Sequence, residues 1–392
     1  MVALPRALPR ALVLSLLLAA CTPSSDPQLS LWVTRFDYRT PEDVRTALAN
    51  AADAGFDSVL WQVRGNATTF YASELEPWAI ELVEPGGAPG FDPLALAIEE
   101  ARRLDLELHA WINVIPAWWG PEPPPADLEH LYHTRPAWFW YDQYGERQAL
   151  SERFYVSLNP CLPEVRAHIV AVVRELLERY PKLDGLHLDY LRFPNEPPAT
   201  RPGQDFPRDP KTLALYRADI GLAPGDDAAA WNAWRTAAVT ELLAELRDTV
   251  RSVAPDAELS AAVGPEPELA LHHFQDVDAW LARRLVDRIH PMNYTTDPER
   301  FAARLAAWKQ RAGTTPVSMG VRLDAGPLDE RTQQAETALA KFGAITCFAY
   351  SSLFDSPNEA IDAQDGPTRT IRAERRAWFL PRLRSWSLGD PQ

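Results

Sequence analysis

Basic residues are scarce in this chain: 39 Lys plus Arg stand against 54 Asp plus Glu in 392 residues, a formal charge of −15. Neutralising phosphates takes a basic surface, so a nucleic-acid binder is excluded. Cysteine is rarer still. Cys21, Cys161 and Cys347 are the only three, without metal-type spacing, and no metal is expected. Long apolar runs are missing as well: residues 11–20, apolar apart from Ser15, number ten, and a bilayer span needs about 20. No Gly-rich loop follows the first strand-like run, which argues against a dinucleotide-dependent oxidoreductase, and no cofactor is expected. Proline and tryptophan are what the chain has in excess, at 36 and 14 residues. Proline stiffens loops and tryptophan offers flat apolar surface. With 46 % hydrophobic residues, a large core is affordable.

The N-terminal segment reads as an export signal. Arg6 and Arg10 precede the apolar run, and Leu18-Ala19-Ala20-Cys21 resembles a bacterial lipobox. The expected organisation is a lipoprotein signal peptide over 1–20, a membrane anchor at Cys21, a tether over 21–28, a barrel domain over 29–365 and a helical extension over 366–392 that packs on the barrel. The protein is then lipid-anchored in the bacterial cell envelope. The alternative is a plain secretory signal cleaved after Ala20. Arg369, Arg372, Arg375, Arg376, Arg382 and Arg384 lie among Trp378, Phe379 and Trp386. They form either the solvated side of that last amphipathic helix or a basic patch for an anionic polymer. Cys161 and Cys347 could pair in an exported protein; Cys347 in its apolar run reads better as a buried thiol.

Short apolar, β-branched runs at 29–35, 57–64, 106–113, 183–189, 258–263, 286–293, 316–321 and 344–350 alternate with helical patterns at 41–54, 93–104, 163–180, 228–253, 274–284, 298–312 and 330–342. Eight such units predict an α/β fold, a (β/α)8 TIM barrel. Period-2 alternation turns His187 and Asp189 inward in the fourth run, and Gln62 and Arg64 inward in the second. Active sites of this fold lie at the C-terminal ends of the strands, so Asp189, last in its run, is the leading candidate. The connections after strands two, three and four are long and aromatic, and the third holds Trp118, Trp119, Trp138 and Trp140. Long loops in compact domains are usually functional. Flat rings on an acidic rim suit the apolar faces of carbohydrate rings.

The run Asp184-Gly185-Leu186-His187-Leu188-Asp189-Tyr190-Leu191-Arg192-Phe193-Pro194 resembles the bacterial glycosyl hydrolase-like 10 family. Gln62-Val63-Arg64, Tyr71-Ala72-Ser73, Glu76-Pro77-Trp78, His109-Ala110-Trp111-Ile112-Asn113, Leu158-Asn159-Pro160 and Pro291-Met292-Asn293-Tyr294 agree in the same order. The resemblance covers roughly residues 29–355. It implies a glycoside hydrolase acting on a cell-envelope or extracellular polysaccharide, peptidoglycan glycan strands in one branch, through two carboxylates. Asp189 and Glu266, just past the fifth strand, are the expected catalytic pair, with Glu76, Asp297, Asp324 and Asp355 as weaker partners. Many relatives carry a second Asp where this chain has Tyr190, so the second carboxylate stays open. Expected substrate contacts are Arg35, Arg64, Glu76, Trp78, Asn113, Trp118, His187, Tyr190, Arg192, Asn293 and Tyr294. A chitinase-type reading is disfavoured because the acid two residues past the last Asp is Leu191. The rival from another class is a catalytically silent carbohydrate-binding lipoprotein.

Overall fold

A computed structural model describes residues 27–193, 204–357 and 369–389. The export segment, Cys21 and most of the tether lie outside the described residues. Eight parallel strands form one sheet: β1 Gln28–Val33, β2 Ser58–Arg64, β3 Glu107–Asn113, β6 Gly185–Asp189, β7 Glu258–Val263, β8 Arg288–Pro291, β9 Met319–Arg322 and β10 Ala344–Phe348. Their order, β8-β7-β6-β3-β2-β1-β10-β9, follows the chain round a circle. The circle closes through the bridges Ile289 to Val317 and Met292 to Gly320. At this seam a glycine is required, because a Cβ on Gly320 would sit 2.8 Å from the Pro291 carbonyl oxygen. The fold is a TIM barrel.

Its helices begin where local chemistry dictates. Proline occupies the first turn of Pro41–Ala54, Pro93–Arg103 and Pro298–Arg311, and the side chains of Thr40, Asp92 and Asp297 cap them. At the opposite end of the barrel a device recurs. Asp57, Asp184 and Asp287, each just ahead of a strand, accept the backbone N–H of Leu29, Leu108 and Leu259 at 2.7, 2.8 and 2.8 Å. These aspartates fasten the bottoms of neighbouring strands.

Three segments differ from the sequence reading. The third connection contains an antiparallel hairpin, β4 Pro116–Gly120 with β5 Ser151–Ser157. The fourth contains a helix, Pro210–Ile220, capped by Asp209 and ended by Gly221. The helix expected over 274–284 is shorter, Val277–Ala282, and a further short helix, Pro267–His272, precedes it. Proline and aromatic density masked the periodicity that would have revealed the first two.

Inside the barrel, Trp32, Leu60 and Trp111 pack with a polar layer. The Trp32 indole N–H donates to His187 Nε2 at 3.2 Å, and His187 Nδ1 meets Ser260 Oγ at 2.9 Å. His290 Nδ1 meets Thr346 Oγ1 at 2.8 Å. Burial holds His187 down at about 3 and His290 well below its usual range, so both rings are neutral. Outside, the helix Arg369–Ser387 buries Phe379, Leu383 and Trp386 against the body. Its arginines serve carbonyls: Arg375 reaches Ser352 and Asp324, and Arg376 reaches Leu353.

Candidate active site

Asp189 ends β6 and lies in register with Asn113, the last residue of β3. It is 6 % exposed. Oδ1 accepts two hydrogen bonds, from the Tyr190 N–H at 2.6 Å and from Arg192 Nη1 at 3.1 Å. Oδ2 has no hydrogen-bond partner among the described residues. Tyr190 adopts left-handed backbone, φ 52°, unusual for a residue with a side chain and characteristic of functional sites. That turn brings the Arg192 guanidinium over the Tyr190 ring at 4.3 Å.

A hydrogen-bonded chain runs round the mouth from Asn113. Its Oδ1 accepts from Gln62 Nε2 at 3.2 Å, and Gln62 Oε1 accepts the Arg35 N–H at 3.0 Å. The Arg35 side chain crosses Gly65, where a Cβ would stand 2.6 Å from Arg35 Cδ. It then donates to Glu81 Oε1 at 3.1 Å and to the Tyr155 hydroxyl at 3.3 and 3.4 Å. Tyr155, brought by β5, presents its ring edge-on to Tyr190 at 5.3 Å. Beyond β8, Tyr294 packs on Phe348 at 5.2 Å and edge-on against Trp32 at 6.3 Å. Burial, and next the negative charge of Asp189, push the Tyr294 hydroxyl well above its ordinary range.

Asp189, Arg35, Asn113, Tyr190, Arg192 and Tyr294 therefore gather at one mouth. Other expected contacts are elsewhere. Arg64 and Glu76 form a buried bidentate pair, Nε to Oε2 at 2.6 Å and Nη2 to Oε1 at 2.7 Å, and His168 Nε2 also lies 3.1 Å from Oε1. Burial alone would raise Glu76, but Arg64 and His168 outweigh it and hold the carboxyl at about 2. Both oxygens are engaged, so this pair braces the loop after β2 and leaves nothing for a substrate. Trp78 bridges Thr69 in that same loop, half-buried. His187 sits one layer below the mouth, both nitrogens occupied. Trp118 is buried, its indole spent on the Glu122 carbonyl at 2.8 Å. Asn293 is tied to Phe301 O at 3.2 Å and to Arg304 at 3.4 Å.

Glu266 turns toward the outer ring of helices. It pairs with Arg304 of Pro298–Arg311 at 2.8 Å, with its side chain 41 % exposed. Asp324 is paired with Arg322, Asp355 with Arg372, and Asp297 caps a helix. The tryptophans of the third connection mostly pack the loops: Trp138 rests on His168, and Trp140 on Phe193 and Phe206. The rings nearest Asp189 come instead from strand ends and the hairpin. Tyr155, Glu81, Trp32 and Phe348 escaped the sequence reading, although period-2 alternation from Thr346 turns Phe348 inward and from Ser30 turns Trp32 inward. Among the described residues no three His, Cys, Asp or Glu side chains are gathered as metal ligands, and no helix is long and apolar enough to cross a membrane.

A closed parallel barrel with a carboxylate and aromatic rings at its C-terminal mouth defines the class, a TIM-barrel glycosidase. Solved structures share this fold. The β-galactosidase from Rahnella sp. R3 superposes with a TM-score of 0.60 at 13 % identity, covering 95 % of this chain and 61 % of that one. The β-amylase catalytic domain from Paenibacillus polymyxa gives 0.57 at 12 % identity over 89 % of this chain and 98 % of its own. Residues 30–341 match the glycosyl hydrolase-like 10 family, and the chain belongs to that family. It is 26 % identical over 326 residues to the glycosyl hydrolase DigH of Escherichia coli (strain K12), spanning 73 % of this chain and 70 % of that protein. It is 27 % identical over 260 residues to the glycosyl hydrolase YngK of Bacillus subtilis (strain 168), spanning 61 % and 46 %.

Proposed function

We propose that this glycosidase cleaves glycosidic bonds in a cell-envelope glycan, foremost the glycan strands of peptidoglycan, with Asp189 as its principal carboxylate. The observation that carries the reading is the asymmetry of Asp189: one oxygen held by the Tyr190 N–H and Arg192, the other unengaged among the described residues, at the end of β6. Such fixing pre-orients a group for reaction at no cost in the transition state. The export signal and the anchor proposed at Cys21 put the protein where that substrate is.

Glycoside hydrolysis needs a second group. Glu266, at the end of the strand beside β6, is the partner in this proposal. Its ion pair with Arg304, in which Glu266 is 41 % and Arg304 11 % exposed, is the contact that opens when the carboxylate turns inward. The test is release of new reducing ends from amidase-stripped glycan strands and intact sacculi. Asp189→Asn is expected to lower the rate by about 10²–10⁴-fold, with Glu266→Gln also impaired. Equal rates for Asp189→Asn and wild type would overturn the assignment. Tight binding without reducing ends would leave a carbohydrate-binding protein.

A further inference from the structure

Resting on that reading, we propose that Phe348 and Tyr294 form the stacking platform for the pyranose ring presented to Asp189, with Phe348 the ring that contacts the apolar C–H face of the sugar. Round the sheet, β10 lies four strands from β6 in either direction, so the end of β10 faces the end of β6 across the mouth. Phe348 is the last residue of β10 and Asp189 the last of β6. Between two such ends of a closed eight-stranded barrel there is room for about one small ring above the packed interior.

The floor of that space is rigid. Trp32 is buried and meets Tyr294 at 6.3 Å and Phe348 at 5.9 Å, both edge-on. Its indole is fastened to His187. Phe348 and Tyr294, 5.2 Å apart with planes 31° from parallel, therefore cannot sink, and both are half-buried.

These two rings also differ from the other aromatics of the mouth. Arg192 lies over Tyr190 at 4.3 Å and Arg35 over Phe36 at 4.2 Å, so those faces are already taken by cations. No cation covers Phe348 or Tyr294 among the described residues. An electron-rich ring face with no cation over it attracts the weakly positive C–H groups of a pyranose ring. Trp32 links the platform to the strand of the carboxylate: it touches Tyr294 and donates to His187, two residues before Asp189.

The experiment separates this inference from the reading on which it rests. Asp189→Asn protein is titrated calorimetrically with amidase-stripped glycan strands and, separately, with a chitooligosaccharide and a cello-oligosaccharide. Adding Phe348→Leu keeps apolar volume but removes the ring, and is expected to weaken binding about tenfold. Adding Phe348→Tyr, which restores the ring, is expected to bind within about threefold of the parent. Melting temperatures measured alongside report a merely structural role. Unchanged affinity in a folded Phe348→Leu protein overturns the platform while leaving the glycosidase reading intact. Absence of binding by the Asp189→Asn parent to every probe overturns both. Should Phe348→Leu not fold, Tyr294→Leu carries the same comparison with the same two outcomes.

Discussion

At the scale of single residues, the sharpest contrast is between two buried carboxylates a sequence reader would treat alike. Glu76 has both oxygens occupied by Arg64 and His168, and Asp189 has only one engaged among the described residues. The first is structural and should behave so. Its folded-state value of about 2 lies below the ordinary 4.5. The stability it contributes is therefore complete above about pH 4.5 and is lost as pH falls toward 2. Glu76→Gln, which leaves the Arg64 guanidinium buried without a counter-charge, is expected to destabilise the protein at neutral pH by about 3–5 kcal/mol. It is also expected to flatten the decline of stability below pH 4.5. Urea unfolding across that range checks both; a variant as stable as wild type at pH 7 would refute the account. Asp189 was legible in the sequence because it ends a strand of clear period. The saturation of Glu76 was not, since His168 is contributed by a helix 92 residues away.

At the scale of elements, the strands and most helices were readable because each carries its own signals, a period of two or of 3.6 with proline and aspartate at the starts. The β4–β5 hairpin was not, because its pairing shifts register twice and its residues alternate poorly. That hairpin nonetheless supplies Tyr155, whose ring meets Tyr190. The C-terminal helix offers a direct test of what an element contributes. Phe379, Leu383 and Trp386 are buried beneath it, and three such side chains at about 1.5–3 kcal/mol each amount to about 5 kcal/mol or more. Removing residues 369–392 is expected to lower the melting temperature by at least about 10 °C or to leave the protein insoluble. A truncated protein melting within about 2 °C of the intact chain would show that the helix only decorates the barrel.

At the scale of the whole molecule, the two described cysteines share one fate in different places. Cys161 and Cys347 are both buried and free. Burial pushes the Cys347 thiol up to about 12 and raises Cys161 further still. Neither forms thiolate at neutral pH in the folded protein. In a Cys21→Ser background, an aromatic disulfide reagent is expected to find no reactive thiol until denaturant is added, and then two. Reaction of one thiol in the native state would refute this burial.

The chain by itself determined its class: too acidic for nucleic acid, eight alternating units for a barrel, and Asp189 at a strand end, all properties written in local order and composition. Only the tertiary structure decided which polar groups are spent and which are spare. Arg64, Glu76 and His187 have their hydrogen bonds completed by partners distant in sequence, whereas Asp189 keeps one oxygen without a partner among the described residues. Burial demands such completion, and no local pattern records which residue supplies it. Closure of the sheet likewise brought Phe348 opposite Asp189 and moved most of the loop tryptophans from the rim into the packing between loops.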